Sequence, residues 1–214
     1  MLYIPPHFRV TDVAVLHAHI RTIGFGSLTT IGKDGGLLIS HFPVILDTSV
    51  GPFGQLRCHV ARANPQWRDS DFTKPGVAMF MGPDAYVSPS WYPSKHEHGK
   101  AVPTWNYAAA QYLVDIEFTE DAGETEKVLR DLIGEMEGGR PQAWSLEEMG
   151  PRYPRLVSGI IAFRARILER RVKFKLGQDE RDSEYFEITH ALAAAGDDAL
   201  REWMQRCNPT RSGT

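Results

Sequence analysis

The residues able to do chemistry in this chain gather into three short aromatic–polar blocks in its first half: 59–67 (HVARANPQW), 86–93 (YVSPSWYP) and 102–107 (VPTWNY). Three of the five tryptophans, Trp67, Trp91 and Trp105, fall inside them, each within a few residues of Ser, Thr, Asn, Arg or Lys. An indole beside hydrogen-bonding groups offers a large flat contact area with one donor. That combination suits a flat, polar-edged ligand or the surface of a partner subunit. In the first block, a strand ending in Ala61-Arg62-Ala63-Asn64-Pro65 carries a guanidinium and an amide into a tight turn. Arg matches a phosphate bidentately, and the N–H groups of such a turn add to an anion site. The same residues also suit a surface Arg–carboxylate pair and a turn-forming Asn-Pro step.

Other chemistry-bearing clusters are poorer. His17 and His19 sit two apart on a helix, where side chains do not face each other. His96-Glu97-His98 could clip a metal, but no further ligands stand at a recognisable spacing, so no metal is expected. The chain lacks a dinucleotide fingerprint, a P-loop and a nucleophile elbow. Arg164, Arg166, Arg170, Arg171, Lys173 and Lys175 form a basic stripe, read either as a solvated strand face or as a source of one or two phosphate ligands. With a formal net charge of −3, the chain has no basic excess to mark a nucleic-acid binder. DNA binding is possible but not demanded.

The elements that must position these groups are mostly strands. Thr11 is a plausible cap for a helix over 12–22, in which Val13, Leu16, Ile20 and Ile23 recur at helical spacing. Phe25–Ile31 and Leu37–Leu46 read as a hairpin about the Gly32–Gly36 turn, with a bulge or an edge position at Pro43. Strands are expected over 55–61 and 77–81, and Gly82-Pro83-Asp84 reads as a turn into 85–88. Residues 93–101 read as a polar loop that could gate a site. Residues 104–119 make one long strand, 124–137 a helix, 159–176 a strand, and 183–206 two helices broken at Gly196. About six antiparallel strands with one helix before and helices after point to a mainly β, α+β fold centred on a barrel. Cys58 and Cys207 are too few for a disulfide framework. No apolar run approaches the roughly 18 residues that span a bilayer, and the first residues lack signal-peptide regions. A cytoplasmic location with no membrane partner is the expectation.

Four blocks taken together, HVARANPQW, AYVSPSWYPSK, VPTWNY and the late KFKLGQD, resemble the signature blocks of the PaiB family of FMN-binding split-barrel proteins, often described as negative transcriptional regulators. The resemblance runs from the opening MLYIPPHF to about Asp179 in the same order. One departure stands out. Where the family pattern reads Leu-Ser-Gln-Asn, this chain has Leu176-Gly177-Gln178-Asp179, so a hydroxyl and an amide are lost.

The resemblance implies an FMN-binding split β-barrel over 1–180 with a C-terminal helical extension, 181–214, packed on the same domain. It also implies a homodimer with FMN in clefts at the subunit interface. FMN requires cationic and hydroxyl partners for its phosphate, an apolar wall for its ring and polar groups at the ring edge. By the same resemblance the phosphate lies near His59, Ala61, Arg62 and Asn64, and the ring along Ser27, Thr29, Ser40, His41 and Pro43. Trp105, Asn106 and Lys175 complete the pocket. Three functions follow: a flavin-binding transcriptional regulator, a flavin-dependent oxidoreductase acting on a small molecule, or a flavin-free or haem-binding barrel that would draw an axial ligand from the eight histidines, of which His41, His59 and His190 read as hydrogen-bonded structural residues.

Overall fold

The computed structural model describes residues 3–98 and 102–211. In chain order the elements are α1 (Val13–Ile23), β1 (Phe25–Ile31), β2 (Leu37–Pro43), β3 (Ile45–Asp47), β4 (Gln55–Ala61), the short α2 (Gln66–Asp69), β5 (Gly76–Val87), α3 (Pro93–His98), β6 (Thr104–Thr119), α4 (Ala122–Glu137), α5 (Tyr153–Val157), β7 (Ile160–Lys175), α6 (Asp182–Ala195) and α7 (Asp198–Cys207). The seven strands form one antiparallel sheet in the order β2-β1-β5-β6-β7-β4-β3. The chain divides into two compact units, one of 12–80 with 111–170, the other of 1–11, 81–110 and 171–214.

In the first unit, alternation along the strands sends one face of each inward. Leu28, Phe42, Leu56, Cys58, Ala78, Phe80, Tyr112, Val114, Ile161 and Phe163 are all at most 1% exposed. Phe42 meets Phe163 edge-on at 5.3 Å between centroids, and Phe80 meets Tyr112 at 5.9 Å. Each such side chain contributes about 1.5–3 kcal/mol by leaving water. β1 crosses β5 closely at Gly26, where a Cβ would lie 2.7 Å from Phe80 Cε1. The Gly32–Gly36 turn closes the expected β1–β2 hairpin, with Ser27 opposite His41 and Leu28 opposite Ser40. The Asp34 carboxylate accepts from Gly36 N–H at 2.9 Å within it.

Four expectations change. The cap of α1 is Asp12, not Thr11, because the Asp12 carboxylate reaches Ala14 N–H at 2.8 Å and also complements the helix dipole. The strand expected over 37–46 breaks at Val44. β2 stays beside β1, while β3 pairs with β4 at the other end of the sheet, Ile45 opposite Arg57. Gly82-Pro83-Asp84 does not turn, since all three lie inside the continuous β5. Residues 93–98 are a helix rather than a loop, opened by Pro93, whose missing N–H costs nothing in a first turn. The His96-Glu97-His98 side chains and residues 99–101 lie outside the described residues.

In the second unit the tail helices form as the sequence predicts, with Gly196 in the left-handed region (φ +83°) between them. Phe174, Leu176, Tyr185, Ile188, Leu192, Leu200 and Met204 make its core, and Phe174 packs edge-on to Trp203 at 5.4 Å. Gly177 is also left-handed (φ +79°), and a Cβ there would meet Met204 and Tyr185 at 3.2 Å each. The Gln178 amide closes this turn, accepting from Leu176 N–H and donating to Phe174 O at 2.7 Å each. The backbone conformation accounts for glycine at the position where the resembled pattern has Ser.

Candidate functional site in the β1–β2 hairpin and the turn after β4

Two hydrogen-bonded pairs occupy the hairpin, one on each face. Outward, Ser27 Oγ bonds His41 Nδ1 at 2.9 Å, with Thr29 two residues along the same face. Around them the sheet exposes large apolar side chains: Phe25 at 57%, Leu37 at 68% and Ile39 at 58%. Inward, Asn64 Nδ2 donates to Ser40 Oγ at 2.7 Å, and Asn64 Oδ1 accepts from Gln66 N–H at 2.9 Å. β2 is an edge strand of the sheet, so one side of its backbone has no neighbouring strand. Pro43 stands opposite Phe25 where β2 ends.

The groove residue that sequence reasoning missed is Gln66. Its side chain is 1% exposed and donates through Nε2 to Leu28 O at 3.1 Å, Thr30 Oγ1 at 3.0 Å and Leu38 O at 3.2 Å. One amide therefore ties the turn after β4 to both strands of the hairpin. Nothing in its residue type or spacing gives this away, since the partners lie 28 to 38 residues distant in sequence. Trp67, one residue on, donates its indole N–H to Arg62 O at 2.9 Å and so braces the same turn.

Arg62 extends from that turn with its guanidinium 3.0 Å from Glu120 Oε2 and donating to Ser158 O at 2.8 Å. Its side chain keeps 40% exposure, so a stronger anion can compete for it. Ala61 is exposed and flanks it without bulk. His59 lies apart from these polar pairs. It lines an apolar cavity with α4, and burial lowers its pKa. The basic stripe is largely paired: Arg164 with Glu124, Arg166 with Asp115 at 2.8 Å, and Arg170 over the Phe53 ring at 4.3 Å.

Trp105, Asn106 and Lys175 belong to the second unit. Trp105 is 54% exposed and lies edge-on to Tyr86 at 6.2 Å. Lys175 Nζ donates to Thr104 Oγ1 and to Trp105 O. Asn106 is buried, with its amide directed at Met204 Sδ at 3.8 Å. The Lys173 ammonium, 9% exposed as a residue, lies 5.2 Å from the Tyr107 ring centroid and within 6 Å of the Tyr3 and Phe8 centroids. Tyr92 donates to Glu180 at 2.9 Å, and the half-buried Glu180 carboxyl has a raised pKa, chiefly from desolvation.

Among the described residues no three His, Cys, Asp or Glu side chains gather as a metal site. No described helix is long and apolar enough to cross a membrane. The family described as "Putative FMN-binding domain" matches residues 2–169. The chain belongs to this family. A curated relative, Protease synthase and sporulation protein PAI 2 of Bacillus subtilis (strain 168), is 26% identical over 192 residues, 89% of each chain. The resemblance to PaiB proteins holds. The solved flavocytochrome Anf3 of Azotobacter vinelandii aligns with a TM-score of 0.61 at 12% identity, over 79% of this chain and 70% of that one. The FAD and heme binding protein of Mycobacterium smegmatis aligns with a TM-score of 0.56 at 17% identity, over 88% and 80%. At such identities the likeness shows the fold, which is the split barrel expected.

FMN is the family's cofactor, and the donor set of the first unit fits it. A half-exposed guanidinium, an amide and a hydroxyl stand at Arg62, Asn64 and Ser40. A hydroxyl, an imidazole and exposed apolar side chains stand on the outer face of the same hairpin. These are the groups a phosphate, a polar ring edge and a flat ring call for.

Proposed function

We propose that this chain is a flavin-binding regulator of gene expression that works as a homodimer, with FMN held at the β1–β2 hairpin. Arg62, Asn64 and Ser40 take the phosphate, while Ser27, Thr29, His41 and the backbone to Pro43 address the ring. The observation that carries this reading is the pairing of Ser27–His41 and Asn64–Ser40 beside an exposed apolar sheet face. The apolar side chains support the dimer, because a monomer in water seldom leaves Phe25, Leu37 and Ile39 exposed on one face of a single hairpin. The resemblance of the sequence blocks to proteins described as negative transcriptional regulators supports the regulatory role. When bound, FMN supplies electron transfer, and the protein's own groups fix its position and exclude water.

Regulation through a partner protein is favoured over direct reading of DNA. Asp182, Glu184 and Glu187 charge α6, and α4 carries Glu124, Glu126, Glu135 and Glu137, so neither is a basic recognition helix. An FMN-dependent oxidoreductase is the second reading, because the cofactor would itself carry the redox chemistry without a protein acid–base set. An absorbance spectrum of the purified protein, repeated after FMN addition and desalting, tests the cofactor site. Retained flavin bands are expected, and a colourless protein would sink the proposal. Bleaching by NAD(P)H with turnover of a small acceptor would move the oxidoreductase reading to first place. A gel shift that weakens steeply with salt would restore DNA as the target.

A further inference from the structure

One apolar cavity among the described residues of the first unit has no part in holding FMN as proposed above. It measures about 370 Å³ and lies between α4, the 144–149 segment, α5 and the outer face of β4. Leu129, Leu132, Ile133 and Met136 of α4 form one wall, and Leu146, Met149 and Leu156 face them. Trp144 is 37% exposed and Leu156 48%, so the cavity opens to solvent along that side. Its volume falls in the range of small-molecule sites, and two methionines give its walls room to adapt.

The polar side chains on its lining are few: His59, Glu137, Trp144 and Tyr153. The Glu137 carboxylate accepts from Trp144 N–H at 3.0 Å. Tyr153 Oη and His59 Nδ1 are both shielded from water and have no hydrogen-bond partner. A shielded, unpaired ring nitrogen is uncommon in a folded protein and marks a place where a partner is missing. The His59 imidazole is neutral at neutral pH because burial lowers its pKa. A neutral imidazole has one donor and one acceptor nitrogen, and a hydroxyl can answer either one. Glu137 on the wall disfavours anions.

We propose that this cavity binds an uncharged, ring-sized hydrophobic alcohol or phenol, with its apolar body between α4 and α5 and its hydroxyl on His59. The site is separate from the flavin reading and stands or falls without it. The test is calorimetric titration of the full chain, as purified with its flavin, using naphthol and naphthalene as probes. Saturable one-to-one binding of naphthol is expected, with naphthalene at least ten-fold weaker. Met136→Trp and Leu156→Trp, filling the cavity from opposite walls, should each weaken naphthol at least ten-fold with flavin content unchanged. His59→Phe should remove the preference for naphthol over naphthalene. Should both tryptophan variants fail to fold, quenching by bromophenol of the emission that is lost in Trp144→Phe reads the site without filling it. No saturable binding, or naphthol affinity untouched by the filling variants, overturns the site. Equal affinity for naphthalene overturns the assigned ligand class.

Discussion

His19 lies on the inner face of α1 at 2% exposure, and burial pushes its pKa down from 6.5 to about 4. The unfolded chain therefore binds a proton at His19 below pH 6.5 that the folded chain refuses until about pH 4. Stability falls as pH drops through that window, by about 3 kcal/mol at the low end. His59 adds to the fall in the same direction, while Glu180, with its raised pKa, opposes it. His19→Leu should flatten the dependence of urea midpoint on pH between 6.5 and 4, and an unchanged slope would refute the assignment. Arg62 behaves differently, because its pair with Glu120 is half exposed and contributes about 0–1 kcal/mol. Arg62→Ala should leave the thermal midpoint within a few degrees yet lose FMN on desalting. Equal flavin retention in that variant would place the phosphate elsewhere.

Among the elements, the β1–β2 hairpin depends on a residue outside it. Gln66→Ala removes three hydrogen bonds and leaves Leu28 O, Leu38 O and Thr30 Oγ1 without this donor. A loss of about 2–3 kcal/mol follows, read as a lowered urea midpoint with the slope unchanged. A midpoint within error of wild type would show that water replaces the amide. The hairpin itself was legible, because Gly32-Lys33-Asp34-Gly35-Gly36 signals a turn and a short strand-like run stands on either side of it. Its far end was not. Leu37–Leu46 reads as one strand with a bulge or an edge position at Pro43, and only the long-range pairing of Ile45 with Arg57 moves the chain to the other end of the sheet. Gly82-Pro83 carries a turn signal that tertiary pairing overrides, and Pro93 at a helix start was hidden by the polar residues after it. The candidate site was legible to the same depth. Arg62, Asn64, Ser40, Ser27 and His41 were named from the blocks and the family likeness. That they divide between two faces of one hairpin, and that His59 turns to another cavity, follows from pleat and register alone.

At the scale of the whole molecule, the exposed face of the hairpin decides between a protein complete as one chain and one completed by a second. Phe25, Ile39 and Leu37 flank Ser27, Thr29 and His41, so the polar pair proposed to meet a ring edge lies in an apolar field. A second copy covering that field would also remove water from the flavin, which strengthens every polar contact to it. Dimerisation and cofactor retention are then one property, and a single surface charge should break both. Ile39 is 58% exposed on an edge strand, so Ile39→Lys costs the folded chain little core packing. Light scattering should give the wild type twice the chain mass of 24.0 kDa and the variant the mass of one chain. FMN affinity should fall at least ten-fold in the variant, with its far-ultraviolet circular dichroism unchanged. A monomer that keeps its flavin would uncouple the two, placing the cofactor wholly within one chain. A variant still dimeric would move the interface off this face.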